Sequence, residues 1–236
     1  MAQSPLQGSL RQVRQRITAA AVAAGRPPTS VRLVAVSKTR PAEDLEAAFA
    51  AGQRDFGESY LQEALAKMRI LAGHPLVWHF IGPIQSNKTR DIATHFHWAH
   101  SIDREKIACR LNDQRPAGLP PLNVCIQVNI SGEASKSGSA PAAVPALAGA
   151  IAGLPRLRLR GLMAIPARTR DPARQRALFG QIKQLQDRLI NQGLPLDTLS
   201  MGMSGDLEAA IAEGATMVRI GSAIFGDRPT VFRREP

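Results

Sequence analysis

Eight short apolar runs that alternate with stretches of helical periodicity constrain this chain more than any other feature of its sequence. The runs fall at residues 31–36, 53–57, 77–81, 96–102, 122–130, 157–165, 199–203 and 216–220. Helical stretches separate them at 41–51, 58–71, 85–95, 103–111, 141–152, 171–191 and 205–213, and one more precedes them all. Repeated βα units call for a parallel sheet, and eight of them predict an α/β fold closed into a (β/α)8 TIM barrel. An open doubly wound sheet is the alternative, but no G-x-G-x-x-G follows the first run. The length of 236 residues suits one barrel, which typically takes about 250. We read residues 1–236 as a single domain, with an N-terminal helix at about 7–24 and the barrel at about 31–228. Leu10, Val13, Ile17, Ala20 and Ala21 share one face of that first helix. Asp103 is expected to cap the helix that runs to Leu111.

Only 4% of residues are aromatic although 44% are hydrophobic, so the core must be built from Ala, Leu, Val and Ile. No apolar run approaches the roughly 18 residues of a membrane span, and the N-terminus lacks the apolar segment of a secretory signal. Two cysteines, Cys109 and Cys125, fit a reducing cytoplasm better than a disulfide framework, and they lack metal spacing. The net charge of +11 is concentrated in residues 1–40, with seven basic side chains and no acid, and in residues 156–176, with seven arginines against one aspartate. Nucleic acid is one reading of that charge. No aromatic side chains interleave the arginines, however, and a basic domain also attracts phosphorylated small molecules. We expect neither a nucleic-acid nor a membrane partner, and a monomer.

The chemistry begins at the first run, Val31-Arg32-Leu33-Val34-Ala35-Val36, which ends in Ser37-Lys38-Thr39. A lysine where a buried strand turns into a helix lies near low dielectric, which favours its neutral amine. A neutral amine is the nucleophile that forms a Schiff base with an aldehyde. In a barrel the site lies at the C-terminal ends of the strands, and phosphate is commonly bound in the loops after strands 7 and 8. Here those loops carry Met203-Ser204-Gly205-Asp206 and Gly221-Ser222. Glycine lets the backbone approach an anion, and each serine supplies a hydroxyl donor. Read structurally, Ser204 is an N-cap and Gly221 a turn residue. An amine at strand 1 and an anion cradle at strands 7 and 8 describe a two-point ligand, aldehyde at one end and phosphate at the other. Pyridoxal 5′-phosphate fits, and so does a sugar phosphate in a Schiff-base aldolase. Arg219 helps to choose. It lies in an apolar strand, and a guanidinium beside a pyridine nitrogen disfavours a proton there, which weakens the ring as an electron sink. The structural reading of Arg219 is an internal salt bridge to Asp206 or Glu213.

Five ordered motifs resemble the YggS/PROSC family of pyridoxal phosphate homeostasis proteins, which have an alanine-racemase-like barrel. They are Val34-Ala35-Val36-Ser37-Lys38, Phe56-Gly57-Glu58-Ser59-Tyr60-x-Gln62-Glu63, Trp78-His79-Phe80-Ile81-Gly82-x-Ile84-Gln85-x-Asn87-Lys88, Ser200-Met201-Gly202-Met203-Ser204-x-Asp206 and Val218-Arg219-Ile220-Gly221-x-x-Ile224-Phe225-Gly226. The resemblance runs from about residue 10 to residue 228. It implies that Lys38 forms the Schiff base, that Ser204, Gly221 and Ser222 hold the phosphate, that Arg219 faces the pyridine nitrogen, and that Met203 and His79 lie against or near the cofactor. One residue departs from the pattern. Ser59 stands where the family usually has asparagine, and its shorter side chain reaches the cofactor only through water. The loop 129–138 also matches the family, and its Lys136 is a candidate second acceptor of pyridoxal phosphate, against the reading of a solvated loop lysine.

Alanine racemase, which this barrel resembles, sets a lysine on one face of its substrate and a tyrosine from a second domain on the other. This chain ends at Pro236 without residues for that domain, and its one tyrosine, Tyr60, comes early in the barrel. The expectation is a protein that holds pyridoxal phosphate and delivers it, with apo-enzymes as candidate partners, with little or no turnover and no catalytic residue. A pyridoxal-phosphate-dependent amino-acid racemase is the alternative. A nucleic-acid or protein-interaction module is a third class.

Overall fold

The computed structural model describes residues 5–132, 137–167 and 169–226. Eight strands carry the fold: β1 Arg32–Val36, β2 Asp55–Glu58, β3 Val77–Phe80, β4 Trp98–Ile102, β5 Leu122–Val128, β6 Leu157–Ala164, β7 Thr198–Ser200 and β8 Met217–Ile220. They pair in parallel and in chain order, and β8 closes onto β1 with Val34 opposite Arg219. The predicted (β/α)8 barrel is the fold observed. Its strands are short apolar runs because both faces are covered, by helices outside and by inward side chains within.

The helices are α1 Pro5–Ala23, α2 Ala42–Ala50, α3 Leu61–Ile70, α4 Thr89–His95, α5 Glu105–Gln114, α6 Val144–Ala152, α7 Pro172–Asn191, α8 Leu207–Ala212 and α9 Ser222–Phe225. On α1, Leu10, Val13, Ile17 and Ala21 are buried as their spacing predicts, while Ala20 is half-buried. This helix packs against α2, α8 and α9, and so closes the ring between the first and last units. Arg16 fastens the seam through Glu208 at 2.8 Å and the Ser204 carbonyl at 3.1 Å. The outer core is largely aliphatic, with Trp78 buried in it and Phe56, Phe80, Phe96 and Phe179 fully buried. Burying each such ring stabilises the fold by about 1.5–3 kcal/mol.

Three local expectations are corrected. Asp103 does not cap α5: Arg104 occupies the N-cap position without a side-chain cap bond, and Asp103 accepts instead from the Arg104 guanidinium at 2.7 Å. A charge-assisted bond to a neighbour outcompetes a backbone amide. Strand β7 stops at Ser200 rather than Met203, because Gly202 takes φ +95° and turns the chain. A Cβ there would also lie 2.7 Å from the Ala210 methyl. The segment after β8 is the helical turn α9 rather than a loop.

Two residues apart on one strand face the same side. Val34, Trp98, Cys125, Met163 and Met217 form an apolar cluster separate from the main core, filling the barrel interior. Two residues nearer the C-terminal ends of β4 and β8 come His100 and Arg219. The interior therefore turns from apolar to polar toward the end where barrels bind ligands.

Candidate functional site

Lys38 lies two residues past the end of β1 and is half-buried. The turn that carries it is held on both sides. Before it, the Ser37 amide donates to the Gly57 carbonyl at 3.0 Å and the Ser37 hydroxyl to Glu58 Oε1 at 2.6 Å. After it, the Thr39 amide donates to Glu63 Oε1 at 2.6 Å. Thr39 has φ +63°, and among the described residues it is the one non-glycine in that region. Such a conformation costs on the order of 1–2 kcal/mol, so its surroundings must impose it. They do so through Lys67 of α3, whose ammonium donates to the Ser37 carbonyl at 2.7 Å, Glu58 Oε1 at 2.8 Å and Glu63 Oε1 at 2.5 Å. Lys67 is 4% exposed and Glu58 0%. Burial raises the Glu58 carboxyl above its usual range, and the Lys67 charge opposes that rise.

The loops after β7 and β8 meet at two serines. Ser204 does not cap α8, whose N-cap is Asp206. Its hydroxyl lies 3.3 Å from the Ser222 hydroxyl and 3.4 Å from the Ala223 amide, at the start of α9. Asp206 accepts from the Met203 amide at 2.5 Å, which fixes the turn from Met203 to Asp206 that carries Ser204. Gly221 passes under β1, where a Cβ would sit 3.3 Å from the Val36 carbonyl oxygen. Two hydroxyls, one of them already within reach of the Ala223 amide, thus converge at the start of α9 beside the end of β1, an arrangement of donors that suits an anion.

Arg219 is buried, yet among the described residues it has no carboxylate within 4.0 Å. The salt-bridge reading fails because Glu213 is taken by Arg176 at 2.7 Å and Asp206 by Met203. Arg219 donates from Nη1 to Ser200 Oγ at 2.8 Å and from Nη2 to the Ala164 carbonyl at 2.9 Å. Burial pushes its guanidinium down to about 10, against the opposing pull of Asp206, and it stays cationic at neutral pH.

His79 is fully buried, and both its ring nitrogens are engaged, with Asp55 at 3.0 Å and His100 at 2.9 Å. His100 in turn reaches Ser200 Oγ at 2.8 Å, the oxygen that Arg219 holds. His79 is therefore tied to Arg219 through two intermediaries. Ser59 is half-buried in the loop after β2, where its backbone lies against Gly82; a Cβ at Gly82 would come 2.5 Å from the Ser59 carbonyl oxygen. Tyr60 is 48% exposed. Cys125 is buried in the barrel, and burial pushes its thiol up to about 12. Lys136 lies outside the described residues. Sequence reasoning assigned no role to Glu58, Glu63, Lys67, His100 or Ser200. The Glu63–Lys67 spacing of four was a visible signal of pairing. His100 and Ser200 were legible only as polar residues inside apolar runs.

The comparisons with known proteins follow the same lines. The family model for the alanine racemase N-terminal domain matches residues 9–229. The pyridoxal phosphate homeostasis protein of Pseudomonas aeruginosa is 64% identical over 225 residues, covering 95% of this chain and 96% of its own. The protein of that name from Escherichia coli K12 is 57% identical over 223 residues, covering 93% and 95%. PipY of Synechococcus elongatus PCC7942, solved with PLP bound, superposes with a TM-score of 0.82 at 38% identity, covering 94% of this chain and all of that one. An alanine racemase of Clostridium difficile shares the fold alone, with a TM-score of 0.70 at 15% identity over 86% of this chain and 54% of that one. With a barrel of this closure, a lysine after β1 and relatives matched almost end to end, the chain belongs to the pyridoxal phosphate homeostasis protein family, built on the alanine racemase N-terminal domain.

Proposed function

We propose that this protein binds pyridoxal 5′-phosphate and holds it for delivery to other proteins, with little or no turnover of its own. Its relatives' names and the PLP-bound PipY support the cofactor. The residues present fit it. Lys38 offers an amine beside the end of β1, and the Ser204 and Ser222 hydroxyls, with the close backbone approach that Gly221 allows, offer a place for a phosphate. Arg219 fits the ring nitrogen: its guanidinium carries five N–H groups, and the two bonds described leave three to offer an acceptor. Met203 and Ser59 stand in the adjoining loops, and His79 acts from beneath.

When bound, the cofactor supplies an aldehyde that an amine can capture reversibly. The chain's own residues do the rest. The clamp of Glu58, Glu63 and Lys67 holds the Lys38 turn in one conformation, so capture costs little further ordering. The serine pair and the α9 turn hold the far anion. Arg219, cationic at neutral pH and never an acceptor, would face the ring nitrogen with a donor and disfavour a proton there. A buried guanidinium without a carboxylate partner, where an electron-sink site would need an acid, supports retention over turnover, and it is the observation that carries this reading. Racemisation also needs an acid or base on each face of the substrate, and the chain's one tyrosine is exposed to solvent.

Two free cysteines among the described residues accord with a reducing, cytoplasmic setting, and in this reading the protein acts as a monomer that meets apo-enzymes there. The test is an absorbance spectrum of purified protein titrated with pyridoxal phosphate, repeated after borohydride trapping and in Lys38→Ala. A visible band in the wild type that disappears in the variant is expected, with the trapped adduct on Lys38. A panel of single-enantiomer amino acids is then followed by polarimetry. Racemisation faster than that by free pyridoxal phosphate, lost in Lys38→Ala, overturns the carrier reading in favour of an enzyme.

A further inference from the structure

A single file of hydrogen bonds crosses the barrel interior. It runs from Asp55 at the start of β2 through His79 on β3, His100 on β4 and Ser200 at the end of β7 to Arg219 on β8. Its four distances lie between 2.8 and 3.0 Å, and the two imidazoles are fully buried. The chemistry of its ends fixes its direction. A guanidinium only donates, so Ser200 Oγ accepts from Arg219, and with His100 neutral and its hydrogen on Nε2 the Ser200 hydroxyl donates to His100 Nδ1. A carboxylate only accepts, so His79 carries its hydrogen on Nε2. His79 Nδ1 then accepts from His100 Nε2. Each imidazole is neutral in this order, with its hydrogen on Nε2. Burial lowers both histidines below their ordinary value, His100 well below with the further push of His79 and Arg219.

The charges facing the file agree with that order. Arg32 lies 3.3 Å from Asp55, and with His97 it opposes a proton on His79. Arg160 covers the Trp98 ring at 4.9 Å, on which His79 stacks at 5.6 Å, and is itself paired with Asp197. Cys125 stays a thiol, and Asp206 lies near Arg219. A cation at one end and a carboxylate at the other therefore polarise every bond the same way.

We propose that Asp55, His79, His100 and Ser200 are positioning residues, a one-directional relay that locks the Arg219 guanidinium as a donor toward the cofactor ring. The proposal rests on the pyridoxal phosphate reading above and adds residues on the far side of the barrel to it. The Asp55 carboxylate, partly exposed and at the opposite end of the strands, then influences the electronic state of a ligand it never touches.

The experiment has one arm without cofactor and one with it. In the unloaded protein, side-chain nitrogen NMR at neutral pH is expected to show both His79 and His100 as neutral Nε2–H tautomers. Either ring found as an imidazolium or as the Nδ1–H tautomer overturns the relay. In the second arm the visible band of the protein loaded with pyridoxal phosphate is followed against pH. Asp55→Asn, nearly isosteric, is expected to shift the band and its pH profile while the fold is kept. His100→Phe should do the same and weaken binding roughly tenfold, and His100→Gln, which can still accept and donate, should restore much of both. Variants that lose thermal stability yet keep the wild-type band and pH profile would reduce the file to a structural role and overturn the proposal. A wild-type protein with no visible band refutes the cofactor reading itself, while the tautomers still report whether the relay is ordered as described.

Discussion

Replacing Lys67 by methionine keeps the length of the side chain and removes one charge from a site that is 4% exposed. Three bonds vanish together: to the Ser37 carbonyl and to the carboxylates of Glu58 and Glu63. The Glu58 carboxylate, 0% exposed, keeps only the Ser37 hydroxyl, and its Oε2 already lacks a partner. Breaking a buried pair by deleting one member typically costs about 3–5 kcal/mol, because the remaining charge is stranded. For a domain of this size that corresponds to a fall in Tm of roughly 6–20 °C. The sign with pH follows from Glu58. Its folded-state affinity for a proton is raised already and rises further without Lys67. The variant's deficit is therefore smallest below the ordinary carboxyl value of 4.5 and grows as pH rises through the folded-state value. Adding Glu58→Gln to Lys67→Met should recover at least half of the loss, since a neutral amide still accepts from Ser37. Urea unfolding of the two singles and the double measures this coupling, and hydrogen exchange at the Thr39 amide reports whether the Lys38 turn loosens. A single-variant cost under about 1 kcal/mol, or a double as unstable as the sum of the singles, would refute the clamp.

Three further outcomes are expected. His79 and His100 fold in the neutral form, so their contribution to stability is present above the ordinary imidazole value of 6.5 and is lost as pH falls below it. Each should steepen acid unfolding by up to about 1.4 kcal/mol per pH unit, and His100→Phe should flatten that slope in urea midpoints measured across the range. Ser204→Ala and Ser222→Ala should each weaken pyridoxal phosphate binding by about 1 kcal/mol, roughly fivefold, in an absorbance titration. Because their hydroxyls are 3.3 Å apart, the double variant should fall short of the product of the singles; full additivity would place them on separate ligand atoms. Ser59→Asn lengthens the side chain by an amide and should tighten binding by a similar factor; affinity equal to or below the wild type's would remove Ser59 from the site.

The order and kind of the elements follow from local chemistry, which is why the sequence alone reached them. Paired apolar runs and periodic helices require a parallel sheet, eight of them close a barrel, and a barrel puts Lys38, Ser204 and Ser222 at one mouth. The motifs around those residues were sufficient to name the family. Tertiary structure alone decided who partners whom. Nothing near Arg219 in sequence says that Glu213 is claimed by Arg176, that Asp206 turns to Met203, or that the guanidinium rests on Ser200 instead. Asp55, His79 and His100 are scattered over 46 positions, and they meet only because barrel closure converts strand register into proximity across the interior. Periodicity reveals which face a residue lies on; which side chain stands opposite is set by twist, tilt and closure, and those belong to the assembled barrel.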